Sequence, residues 1–150
     1  MPGLAADSKR TFDVLLVEDS PSDAELARKA FQRQRMDMRL HHVWDGIECL
    51  QYLKRSETDS QAPRPDLIVL DLNMPRMDGR EVLRRVKGDF SLSPIPVVVL
   101  TTGSEKSDIT EAYRAHANAY LIKPVDLERF FSLVAEIQHF WLKAVELPEK

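Results

Sequence analysis

The sequence predicts an α/β protein: a doubly wound parallel sheet of five strands flanked by five helices. Three observations carry that prediction. Near-continuous Val/Ile/Leu runs at 12–17, 67–70 and 95–100 have the pattern of strands buried on both faces. Segments with helical spacing separate these runs, so strand and helix alternate along the chain. A length of 150 residues suits one domain of this kind.

Each element has a local justification. After the first strand, residues 21–36 read as a helix with Ala27, Ala30, Phe31 and Gln34 at helical spacing. Ser20 caps it and Pro21 is its first residue. The run 39–44 is shorter and more mixed, as an edge strand would be; its His41 and His42 lack any partner pattern and read as structural or exposed, not as metal or phosphotransfer groups. Residues 46–54 form a short helix carrying Ile47, Leu50 and Leu53 on one side, with Cys49 among them as core. The third strand, 67–70, is followed by Asp78-x-x-Glu81, a capping-box pattern opening a helix that runs to 87. Strand 95–100 leads to a rather polar helix at 105–116, and strand 119–122 leads to a long, strongly apolar helix at 126–143. Tails at 1–11 and 144–150 flank one expected domain at 12–143, with no room expected for a second.

Composition excludes several function classes. The net charge is −3 with the two signs interspersed, which argues against a nucleic-acid surface. A hydrophobic content of 43% with 30% charged residues is that of an ordinary globule, not a disordered chain. Cys49 is the single cysteine, so an internal disulfide and a Cys-based zinc site are excluded, as fits a reducing cytosol. The N-terminus has no apolar signal region, and no stretch approaches the ~20 apolar residues that span a bilayer. A cytoplasmic protein without membrane contact is expected.

The chemistry sits at the strand ends. In an open parallel sheet, ligands bind outside the carboxyl ends of the strands. Glu18 and Asp19 follow strand 1, Asp71 follows strand 3, Thr101 and Thr102 follow strand 4, and Lys123 follows strand 5. If these strands share a sheet, the groups converge on one rim. Two carboxylates about 4 Å apart repel by roughly 4 kcal/mol at an effective dielectric of 20, and a divalent cation relieves this. All-oxygen ligands suit Mg²⁺, which tends to recruit phosphate oxygens. Carboxylate, Mg²⁺ and lysine form a phosphoryl-transfer set, and the carboxylate itself can be the nucleophile.

These residues resemble a known family. The Glu18-Asp19 pair, the run Asp71-Leu72-Asn73-Met74-Pro75-Arg76-Met77-Asp78-Gly79, Thr101-Thr102-Gly103 and Lys123-Pro124 look like the receiver domain of bacterial two-component response regulators. The resemblance spans residue 12 to about 142 and implies a flavodoxin-like sheet in the order 2-1-3-4-5. It implies that Asp71 is the phosphoacceptor, taking a phosphoryl group from a sensor histidine kinase. Asp19 would be the direct Mg²⁺ ligand, Glu18 would hold the metal through water, and Asn73 would offer its backbone carbonyl. Thr101 would hydrogen-bond the phosphoryl group, Lys123 would pair with it, and a cis Lys123–Pro124 bond would aim the lysine. Tyr120 lies at the position of the family's aromatic switch. Thr102 is the small residue after the key hydroxyl.

Such a stand-alone receiver is a signalling phosphoacceptor, not an enzyme, with self-catalysed phosphotransfer and autodephosphorylation. Among receivers, Asp-Gly-Arg-Glu-Val-Leu at 78–83, Ile95-Pro-Val-Val-Val-Leu, Phe140-Trp141 and Leu147-Pro148 are similar to the small regulators paired with bacterial phytochrome kinases. Those often dimerise through helix 4, strand 5 and helix 5. In helix 5, Leu127, Phe130, Phe131, Val134, Ile137 and Trp141 form the stripe one sheet face can bury. Leu133, Phe140 and Ala144 lie off it, and an apolar surplus marks a homodimer contact, or else a C-terminal tail folded back over those residues. An aspartyl phosphatase or phosphomutase is the rival class. It wants a second Asp two residues after the nucleophile, where this chain has Asn73. A degenerate receiver acting only as a binding module is the third reading; its mark is loss of the acid pair, the acceptor or the lysine, and all are present.

Overall fold

The computed structural model describes residues 10–74 and 76–150. Most of the expected N-terminal tail, and Pro75 of the long motif, therefore lie outside the described residues. Five strands form one parallel sheet: β1 (Phe12–Val17), β2 (Met38–Val43), β3 (Leu67–Leu70), β4 (Val97–Thr101) and β5 (Ala119–Ile122). Their order is β2-β1-β3-β4-β5, as expected. Five helices alternate with them: α1 (Pro21–Arg33), α2 (Gly46–Arg55), α3 (Gly79–Gly88), α4 (Lys106–Arg114) and α5 (Leu127–His139).

Alternation within the strands divides the core into two layers. Leu15 and Val17 of β1, Ile68 and Leu70 of β3, and Val97 and Val99 of β4 pack against α2 and α3, with Cys49, Leu53, Val82 and Leu83 opposite. Val14, Leu16, Leu67, Val69, Val98 and Leu100 face α1 and α5, meeting Ala27, Ala30, Phe31, Phe130, Val134 and Ile137. Each fully buried Leu, Val or Phe contributes about 1.5–3 kcal/mol. Burial on both faces explains why the central strands read as unbroken apolar runs.

Several boundaries differ from expectation for identifiable reasons. Strand β4 starts at Val97 rather than 95, because Pro96 has no N–H to give the ladder. Helix α1 stops at Arg33, where Gln34 turns extended (ψ 132) and lets Met36 pack back on the core. The capping box at α3 is not reciprocal. Asp78 accepts from the Arg80 N–H at 2.7 Å, while Glu81 turns outward to Arg84 and Arg85.

The last helix departs most. It is not one α-helix to 143: α5 ends at His139 and a π-helical turn covers Phe140–Ala144, closed by the Val145 N–H on the Phe140 carbonyl at 3.1 Å. The wider turn buries Leu142 and leaves Phe140 at 53% exposure. Leu127, expected in the buried stripe, is 47% exposed at the start of the helix, and Leu133, expected off the stripe, is half-buried against the core.

Beyond the π turn the chain folds back. Leu147 packs on the α1/α5 layer, and Lys150 reaches the amino-terminal end of the sheet. There the fully buried Asp13 carboxylate accepts from Arg39 and His41, each at 2.9 Å, and pairs with Lys150. Asp66, buried beside it, pairs with Arg10 and lies 3.6 Å from Lys150. His41 is thus structural, as expected, and so is His42, whose Nε2 lies 2.8 Å from the Glu18 carbonyl. Among the described residues no helix is long and apolar enough to cross a membrane.

Candidate functional site

The sheet reverses its winding between β1 and β3, so a crevice opens at their carboxyl ends. Glu18 and Asp19 leave β1 into that crevice and Asp71 leaves β3, its N–H bonded to the Val17 carbonyl at 3.1 Å. One carboxylate oxygen from each of Glu18, Asp19 and Asp71 lies within 4.8 Å of the others. Close approach of α3 is part of this construction. A Cβ on Gly79 would meet the Asp71 carbonyl oxygen at 2.4 Å, so only glycine lets the first turn of α3 lie against the backbone of Asp71 and Leu72.

The polar groups form one network. Asp71 is buried, and its Oδ1 accepts from the Thr101 hydroxyl at 2.9 Å and from the Asn73 N–H at 3.3 Å. The Asn73 amide donates onward to Thr101 Oγ1 at 3.3 Å. Lys123 is held at the end of β5 by its N–H on the Thr101 carbonyl at 2.7 Å. Its ammonium lies 2.5 Å from Glu18 Oε1, 3.3 Å from Asp23 Oδ2 and 3.9 Å from Asp71 Oδ2. The expected cis bond to Pro124 is absent: all peptide bonds of the described residues are trans, the form an X–Pro bond prefers by about 0.5–1 kcal/mol. Lys123 reaches the acids nonetheless.

Electrostatics follow from burial and sign. Burial pushes the Glu18 carboxyl up to about 7, with Lys123 pulling it down and Asp71 adding to the rise. Burial works against the Lys123 charge, but Glu18, Asp71 and Asp23 outweigh it and hold the ammonium above its ordinary range. Three carboxylates against one ammonium leave a negative surplus, and the donors are all hard oxygens. This set fits a small divalent cation.

Glu18, Asp19, Asp71, Asn73, Thr101 and Lys123 come together at the rim, and Thr102, also expected there, lines the same crevice beside Glu18, Asp71 and Lys123. Tyr120 joins at one remove. Its hydroxyl donates to the Gly103 carbonyl at 2.8 Å, inside the β4–α4 loop, so the ring is turned inward and packs on the core. Leu133 and Phe140 lie elsewhere, lining a groove of about 600 Å³ between β5 and the end of α5, with Leu121, Ile137 and Trp141. Cys49 is core, its thiol pushed up to about 12 by burial. Sequence reasoning missed Asp23, whose position in the first turn of a helix gives no hint of Lys123, and the acids Asp13 and Asp66.

Fold and site together define a two-component receiver, a domain built around an acceptor carboxylate. The chain belongs to that family: the response regulator receiver domain model matches residues 14–135. It is 42% identical over 135 residues to the response regulator Rcp1 of Synechocystis sp., covering 90% of this chain and 92% of that one. The solved Mn²⁺-bound form of Rcp1 superposes with a TM-score of 0.85 at 40% identity, over 92% of this chain and 99% of the other. The phosphorylated cyanobacterial phytochrome response regulator RcpA gives 0.87 at 40% identity, over 93% and 100%.

Proposed function

We propose that this chain receives a phosphoryl group on Asp71 from the phosphohistidine of a sensor kinase and changes a protein-interaction surface in response. The observation that carries this is the convergence of Glu18, Asp19, Asp71, Thr101 and Lys123 on one rim. In the transfer, an Asp71 carboxylate oxygen forms the bond to phosphorus while the phosphorus–nitrogen bond breaks, its electrons leaving with the imidazole. Asp19 and Asp71 would hold Mg²⁺ directly, with the Asn73 carbonyl, and Glu18 through water; the ion neutralises charge on the transferring group when bound. Thr101, already hydrogen-bonded to Asp71, is placed to donate to a phosphoryl oxygen, and Lys123 to pair with one. Tyr120 reports the position of the Thr101 loop through its bond to Gly103.

The product is a phosphorylated protein and not a released molecule, so the chain acts as a phosphoacceptor rather than an enzyme. Likeness to Rcp1 and to the phytochrome regulator RcpA supports a bacterial phytochrome kinase as donor, in the cytoplasm. The face formed by α4, β5 and α5 is the output and homodimer surface, where Phe140 is exposed and Leu133 lines the same groove. A C₂ contact uses that patch twice, so each substitution counts double.

Transfer of labelled phosphate from a purified, autophosphorylated bacteriophytochrome kinase tests the reading. Label should move to the wild type and not to Asp71→Asn. Phosphorylation by other donors but never by phytochrome kinases would remove the light-sensing link alone. Light scattering checks the dimer: Leu133→Glu with Phe140→Glu should give a monomer, and a wild type that is monomeric at tens of micromolar in both phosphorylation states contradicts it.

A further inference from the structure

We propose that Asp23 is a positioning residue for phosphorylation, holding Lys123 in the resting protein and giving it up when Asp71 gains a phosphoryl group. This rests on the receiver reading above and assigns a role to a residue outside its acid pair. Asp23 is in the first turn of α1, three residues after the Ser20 cap, where an acidic side chain ordinarily reaches back to the cap's own N–H. Here that N–H is taken: Ser20 donates it to Glu18 Oε2 at 3.2 Å. The Asp23 carboxylate is thereby released from capping, and it accepts from the Lys123 ammonium at 3.3 Å instead.

The consequence is a competition for one cation. Lys123 has 11% of its side chain exposed and three carboxylates around it: Glu18 at 2.5 Å, Asp23 at 3.3 Å and Asp71 at 3.9 Å. Asp71, the acceptor, is the most distant, so the resting lysine is drawn toward α1 and away from the acceptor. A phosphoryl dianion on Asp71 carries more charge than the carboxylate it replaces and reaches further toward the ammonium. Asp23 is the partner most easily given up, because its side chain is 45% exposed and water replaces the lost contact, whereas Glu18 is 4% exposed. Asp23 therefore biases the resting state against the phosphorylated one, and contributes nothing to the bond-making itself.

The test is the affinity for beryllofluoride, a phosphoryl mimic, in the presence of Mg²⁺, measured by calorimetry on the full chain. Asp23→Asn keeps shape and helix position but binds the ammonium weakly, so it should take up beryllofluoride about three- to tenfold more tightly, while Asp23→Glu stays closer to wild type. The gain should persist in 0.5 M NaCl, since a contact between partly buried groups is weakly screened, whereas a surface field is largely screened. Glu25→Gln removes a charge from the same helix, near Arg28 and away from Lys123, and should match wild type. Equal affinity of Asp23→Asn and wild type overturns the proposal. So does a gain that disappears in salt, or one that Glu25→Gln reproduces. A wild type that binds no beryllofluoride overturns the receiver reading and this inference with it.

Discussion

A carboxylate cluster lies at each end of the sheet, and the two are balanced in opposite ways. At the amino-terminal end, Asp13 and Asp66 are surrounded by Arg10, Arg39, His41 and Lys150. At the carboxyl end, Glu18, Asp19 and Asp71 crowd together, and one ammonium, Lys123, serves Glu18, Asp71 and Asp23. Cations in abundance make the first cluster an anchor joining β1, β2, β3 and the chain's last residue. The deficit makes the second cluster costly to fold and ready for a metal ion and a phosphoryl group. Stability is given up where chemistry is done, a trade that active sites commonly show.

The largest effect should come from breaking the anchor. Asp13→Ala leaves buried Asp66 with rearranged partners and should lose about 3 kcal/mol in urea denaturation, as removal of one member of a buried ionic cluster does. Burial raises the Asp13 pKa, but bonds from Lys150, His41 and Arg39 outweigh it and hold the carboxyl below its ordinary 3.8. Its contribution is therefore complete above pH 3.8 and lost as pH falls through the lower folded value. The stability gap between wild type and Asp13→Ala should narrow on acidification, and a gap that stays constant would break the comparison.

Next in size is the response of the other end to metal. Mg²⁺ at a hundred times its dissociation constant should stabilise the wild type by about 2.7 kcal/mol, read as a rise in melting temperature. Asp19→Ala should abolish most of that rise. An undiminished rise would place the metal elsewhere.

Smaller still, metal-free Asp71→Asn should be more stable than wild type by about 1 kcal/mol, because relief of repulsion exceeds the weakening of the Thr101 bond. A stabilised Asp71→Asn and a destabilised Asp13→Ala together express the contrast between the two ends. The same end also carries a pH dependence through Glu18, raised by burial from 4.5 to about 7. The folded protein binds the extra proton in that interval, so metal-free stability should fall as pH rises through it, opposite in sign to Asp13. Glu18→Gln should flatten that slope.

Much of the carboxyl-end cluster was legible in the sequence because it follows strands. The unbroken apolar runs fix where β1, β3 and β4 end, and Glu18, Asp71 and Thr101 are simply the polar residues found there. Asp13 was not legible: it lies inside an apolar run, one polar residue in a strand, and only pairing with β2 and β3 brings Arg39, His41 and Asp66 around it. Asp23 was hidden for a similar reason, its partner being 100 residues away in sequence. The end of α5 escaped because a π turn has the same composition as an α-helix; bonds five residues apart, such as the Val145 N–H on the Phe140 carbonyl, distinguish it.

The central claim is that the under-neutralised end exists to accept phosphate on Asp71. Intact mass spectrometry of wild type and Asp71→Asn, each incubated with acetyl phosphate and Mg²⁺, tests it most directly. The wild type should gain one acid-labile phosphoryl group and the variant none. A wild type that stays unmodified, or an Asp71→Asn protein phosphorylated to the same extent, would contradict it.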